Sequence, residues 1–163
     1  MKIPQLSLFA GLFALLFAGT VHAIEIATPP DVDYSALPPL GQQWRDSNPY
    51  RDVAAAPEIG RVAYNQSCAR CHGADAATNA APAPDLRNLN RACWRIVNTD
   101  LKARCIADKD AYFAKTVRHG KTIVGVMHMP PWQDVLPQEL AWSIQVFIEA
   151  QAATKARAQA AAR

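Results

Sequence analysis

Two cysteines three positions apart, with a histidine directly after the second, form the pentad Cys68-Ala69-Arg70-Cys71-His72. Three uses fit those residue types: a redox dithiol, half of a zinc site, or covalent attachment of a haem. Haem attachment uses every feature of the pentad. Two thiols one helical turn apart can form thioethers with the vinyl groups on one side of a haem, and the histidine that follows turns its imidazole to the iron. A redox dithiol is expected after a strand in a βαβ unit. The residues before Cys68, PEIGRVAYNQSC, instead set apolar or small side chains at 59, 60, 63 and 64, a helical spacing with Pro57 at its start. A four-sulfur zinc site needs a second close pair, whereas Cys93 and Cys105 are separated by eleven residues.

An iron held on one side by His72 has a sixth position, and its occupant decides the chemistry. Met127, His128, Met129 and His119 stand downstream. Met129 is preferred because Pro130 and Pro131 fix the backbone just beyond it; its plain alternative is a core methionine. His128 is the rival, since imidazole binds iron well, and Met127 stays open. His119 precedes Gly120 and suits the C-terminal end of a helix better. With a sulfur ligand the iron cycles between ferrous and ferric without taking up oxygen or peroxide, which describes an electron carrier. With an open position it would support peroxidase chemistry or gas sensing.

The elements around these residues follow from patterning. Residues 1–23 have one positive charge at Lys2, an apolar stretch from Leu6 to Phe17 and small residues before a cleavage point after Ala23, as in a secretory signal peptide. Residues 24–56 contain five prolines and read as an extended N-terminal arm pinned by Tyr34, Trp44 and Tyr50. Residues 57–150 form one mainly helical domain. Within it DAYFAKTVRHG predicts a short helix stopped by Gly120, IVGVMHMPPW an apolar loop, and VLPQELAWSIQVFIEA the start of a last helix, with no alternating strand pattern. Residues 151–163, alanine-rich and basic, read as a fraying, flexible tail. The net charge of +3 is too near neutral to suggest nucleic acid or an anionic membrane as partner. All four cysteines lie in the exported part. In an oxidising compartment Cys93 and Cys105 are expected to pair, with two buried free thiols as the alternative. A bond closing that short loop would stabilise by roughly 3 kcal/mol on the chain-entropy account.

The order Gly60, Tyr64, Cys68-x-x-Cys71-His72, Pro84-Asp85-Leu86, Met129-Pro130 and a final aromatic-bearing helix resembles the class I cytochromes c over most of residues 57–150. The resemblance implies an all-α fold, with helices wrapped around one covalently attached haem c. It implies thioethers at Cys68 and Cys71, axial ligands His72 and Met129, and cofactor contacts from Pro84 and Leu86. The Pro84 carbonyl would accept the His72 ring N–H, and Gly60 would let the first helix cross the last near Phe147. More narrowly, LGQQWRDSNPYR, APDLRNL and VRHGKTIVGVMHMPPW resemble the periplasmic cytochromes c-550 that accept electrons from quinoprotein (PQQ-dependent) alcohol dehydrogenases in bacteria. That implies such a dehydrogenase as donor, a downstream cytochrome or terminal oxidase as acceptor, and no catalysis by the chain itself. Ala81, Pro82, Ala83, Val126 and Met127 would then form an apolar docking rim, with Arg70, Arg87, Arg118 and Lys121 around it and Arg118 free to pair with a haem propionate. Ordinary solvated charge is the plainer reading of each basic residue.

Overall fold

A computed structural model describes residues 26–77 and 83–163, so the expected signal peptide lies outside the described residues. Helices α1 (Ala56–Ser67) and α2 (Ala69–His72) are followed by α3 (Thr99–His119), strands β1 (Lys121–Ile123) and β2 (Val126–Met129), and α4 (Gln138–Ala161). Short 3-10 turns lie at Ala74–Ala76, Leu86–Asn88 and Cys93–Arg95. The chain is mostly helical, as expected.

Every residue of α4 from Leu140 to Ile148 is buried. A helix without a solvent face must be covered on all sides. On one side lies α1, whose buried residues Ala56, Gly60, Ala63 and Tyr64 form the stripe read from the sequence. The Tyr64 and Phe147 rings stand 5.3 Å apart, while the closest backbone approach is at Ser143, one turn before Phe147. On another side lies the segment before α1, which has turns but no helix or strand between 26 and 55. Leu40 N–H donates to Glu139 at 2.7 Å, and Gln138 donates to the Gly41 and Gln43 carbonyls at 2.6 and 2.9 Å. Trp44 packs 6.1 Å from Trp142.

Polar groups buried with α4 need partners. Asn48 donates to the Trp142 carbonyl at 2.9 Å and to Gln145 at 2.8 Å, and Gln145 donates to Asp110 of α3 at 2.9 Å. Arg51 holds Asp110 with two bonds of 2.8 and 2.6 Å and Glu149 with two of 3.0 and 2.8 Å. One network thus joins the arm, α3 and α4.

Three expectations are corrected. The short helix ending at Gly120 begins at Thr99, because Asn98 caps it by accepting the Leu101 N–H at 2.9 Å. The apolar loop after it is a hairpin, with Ile123 paired to Val126 across Val124 and Gly125, both at positive φ, as a type I′ turn requires. The tail does not fray at 151: α4 continues to Ala161, since alanine-rich sequence readily propagates a helix already nucleated by packing.

Cys93 and Cys105 are bonded, with their Cα atoms 5.6 Å apart, and tie the Cys93–Arg95 turn to α3. Replacing both by alanine is expected to cost about 3 kcal/mol, by the lost restraint on the unfolded chain. Chemical denaturation of the oxidised protein and the double variant checks this; equal midpoints would refute it.

Candidate haem site

The cysteine pentad is set by what precedes it. Cys68 N–H donates to the Tyr64 carbonyl at 2.7 Å, and the His72 and Gly73 amides donate to Cys68 and Ala69 at 2.9 and 2.7 Å, so the pentad is a single helical turn. Buried Tyr64 donates its hydroxyl to the Gly73 carbonyl at 3.0 Å, and burial pushes that phenol's pKa well up. Asn65 and Asp75 exchange two hydrogen bonds of 2.7 and 2.9 Å across the next turn. The Asn65 side-chain amide also donates to the Arg61 carbonyl at 3.0 Å.

His72 Nδ1 lies 2.8 Å from the Pro84 carbonyl. A carbonyl only accepts, so the ring proton sits on Nδ1 and Nε2 keeps the lone pair that ligates a metal. Ala83 N–H donates to the Cys71 carbonyl at 3.0 Å, which lays this loop along α2. Asp85 is held by the Arg87 guanidinium at 2.9 and 3.0 Å, by the Arg87 N–H at 3.0 Å and by Lys155 at 2.7 Å. Hydrogen bonds from Arg87 outweigh burial, with Lys155 adding to them, and keep the Asp85 carboxyl well below the usual carboxylate range. A depressed folded-state pKa gives stability present above the unfolded value of about 4 and lost as pH falls toward the folded one. Asp85→Asn is expected to be less stable than wild type at pH 7, with the gap closing in acid. Thermal midpoints across pH would test it, and a gap independent of pH would contradict it.

Met129 is fixed from both ends. At Gly120 φ is +69°, and a Cβ there would stand 2.3 Å from the Met129 carbonyl oxygen, so only glycine lets the end of α3 lie against this strand. Beyond the two prolines, Trp132 N–H donates to the Val117 carbonyl at 2.9 Å and Gln133 N–H to Arg118 at 3.3 Å, closing the C-terminus of α3. Lys121 pairs with Met129 and Thr122 with Met127, so His128 is the extra residue of a bulge. Met129 packs against the core, whereas Met127 is exposed.

These parts meet around a cleft of about 650 Å³. Cys68, Cys71, His72, Pro84, Leu86 and Met129 all line it, and Phe113, Val117, Trp132, Leu136, Ile144 and Ile148 make its wall largely apolar. That suits a flat, mostly apolar ligand. His128 lines the cleft too, while Met127 and His119 do not. Phe113 and Val117 on α3, with Trp132, were not read as site residues; the signal for the first two was their i, i+4 spacing within DAYFAKTVRHG.

The donors fit a haem and not the rival uses. Burial pushes the Cys68 thiol up to about 12, with the Cys71 charge adding to it, the opposite of an activated redox cysteine. Among the described residues no group of three or more His, Cys, Asp or Glu side chains could hold a metal ion by itself. Arg118 Nε and Trp142 Nε1 are buried donors with no acceptor among the described residues; Arg118 lies 5.3 Å over the Trp44 ring, whose centroid is 6.1 Å from that of Trp142, and none of the three side chains lines the cleft.

Residues 55–148 match the family described as cytochrome C oxidase, cbb3-type, subunit III. The chain belongs to this cytochrome c family: it is a class I cytochrome c, a mono-haem electron carrier with covalently bound haem c. It is similar to cytochrome c550 of Pseudomonas aeruginosa, 40% identical over 126 residues that cover 75% of this chain and 77% of that protein. No solved structure gave a significant match. Among the described residues no helix is long and apolar enough to cross a membrane.

Proposed function

We propose that the protein is a periplasmic carrier that takes single electrons from a quinoprotein (PQQ-dependent) alcohol dehydrogenase and passes them to a downstream cytochrome or terminal oxidase. Cys68 and Cys71 hold the haem by thioethers, His72 and Met129 are its axial ligands, and Pro84 and Leu86 contact or orient the site. Bound there, the haem supplies a one-electron ferrous–ferric couple. One observation carries the carrier reading: a histidine with Nδ1 committed to a carbonyl and a rigidly held methionine line the same apolar cleft as the cysteine pair. The Pro84 carbonyl makes the His72 imidazole more basic, and the packed wall excludes water and competing ligands. Met129 is favoured over His128 by its packing against the core. The donor is supported by the likeness to cytochrome c550, together with the resemblance of LGQQWRDSNPYR, APDLRNL and VRHGKTIVGVMHMPPW to cytochromes c-550.

Partner docking falls to the hairpin beside the cleft, where Ile123, Val124, Val126 and Met127 are exposed, and to Lys121, which lines the cleft. Ala81 and Pro82 of the expected rim lie outside the described residues. Arg87 and Arg118 leave the expected basic ring, the first committed to Asp85 and the second lying 5.3 Å over the Trp44 ring. The deciding experiment mixes oxidised protein with a quinoprotein alcohol dehydrogenase and an alcohol and follows the visible bands. Fast reduction that needs both additions is expected. Slow reduction there, with fast reduction by a different dehydrogenase or a quinol-oxidising complex, would replace the reading with a general carrier.

A further inference from the structure

The family match ends at residue 148, yet α4 runs on to Ala161, and its extension reaches back to the haem side. Lys155 Nζ donates to Asp85 Oδ2 at 2.7 Å, with the two side chains 25% and 8% exposed. Asp85 follows Pro84, whose carbonyl takes the His72 ring proton at 2.8 Å. That carbonyl shares one rigid peptide plane with the nitrogen and Cα of Asp85, and the proline ring fixes φ on the other side. Anchoring Asp85 therefore sets the angle at which the carbonyl meets the histidine. Arg87 also binds Asp85 and donates to the Ala77 carbonyl at 2.9 Å, a second anchor that ties the loop to the segment just after the pentad. Lys155 comes from the central helix, 70 residues away in sequence.

We infer that Lys155 is a positioning residue for the haem ligand, holding the Pro84 carbonyl on His72 Nδ1 through Asp85. The inference rests on His72 being an axial ligand, as proposed above. The Ala83 to Cys71 hydrogen bond and the packing of Leu86 and Leu89 also hold this loop, so losing Lys155 loosens the contact and does not abolish it.

The test uses haem-loaded, full-length Lys155→Met, which keeps helix propensity and chain length. Nitrogen-edited NMR of the reduced protein follows exchange of the His72 ring proton with solvent, and redox titration gives the potential. Exchange is expected to quicken about tenfold, since a charged hydrogen bond of this kind contributes that much to keeping a contact closed. A carbonyl acceptor enriches the imidazole and favours ferric iron, so the potential is expected to rise when the contact loosens. Lys155→Arg should restore both readouts. Wild-type exchange and potential in Lys155→Met, even with a lower melting point, would overturn the inference and leave the ligand assignment standing. A wild-type protein whose His72 imidazole resonances showed no iron-induced shift in the same spectra would overturn the assignment and the inference together.

Discussion

Replacing Gly60 with alanine is expected to remove most of the protein's stability, and replacing it with valine to prevent holoprotein from accumulating. Two effects oppose each other here. In an open helix, alanine is favoured over glycine by about 1 kcal/mol, so propensity alone predicts a gain. A Cβ at residue 60, however, would stand 2.0 Å from the Ser143 carbonyl oxygen, 2.4 Å from its carbon and 2.9 Å from the Ile144 nitrogen. All three are backbone atoms of α4, so no side chain can rotate away and the helices must separate. Separation loosens the Tyr64 and Phe147 rings and the buried stripe of α1. A loss of about 4 kcal/mol or more is expected, at the far end of what one substitution does. Denaturant unfolding of the haem-loaded variant measures it. A midpoint within error of wild type would mean that the two helices do not approach so closely.

Met129→Ala is expected to abolish the weak near-infrared band of ferric iron bonded to methionine sulfur and to lower the reduction potential. A thioether favours ferrous iron, and its loss leaves the site to water or another ligand. The drop should be on the order of 0.1–0.3 V, part of the ~0.8 V span that axial ligands set. Added imidazole or cyanide should then bind quickly. His128→Ala serves as the contrast, because His128 lines the same cleft from the bulge beside Met129; it should keep the band and the potential. If His128→Ala lost the band while Met129→Ala kept it, the ligand would be the histidine. Either result is read by spectroscopy and titration without a partner protein.

The sequence by itself determined the chemistry of the pentad, the helix before it and the glycine stop at Gly120, while the pairing of Cys93 with Cys105 was expected against two free thiols and only the structure shows the bond. The first three depend on residue types at short, fixed separations, where local geometry leaves little choice. The central position of α4 was only half legible: the stripe at Leu140, Ser143, Ile144, Phe147 and Ile148 was visible, but the burial of Gln145 beside Ser143 was not. Those polar residues are tolerated because Asn48 and Asp110 meet Gln145, and Ser143 bonds back to Leu140. Partners for a buried polar group come from distant parts of the chain, which no local pattern reports. The start of α3 was missed because its first turns carry exposed charges and no apolar stripe. The hairpin was missed because Val124-Gly125 is a poor turn signal and the bulge at His128 breaks the alternation a strand would show. What only the tertiary structure decided is which downstream sulfur packs toward the cleft, and that the basic tail is a helix clamped to Asp85. Both depend on contacts between residues far apart in sequence, where a few ångströms in packing outweigh any residue's intrinsic preference.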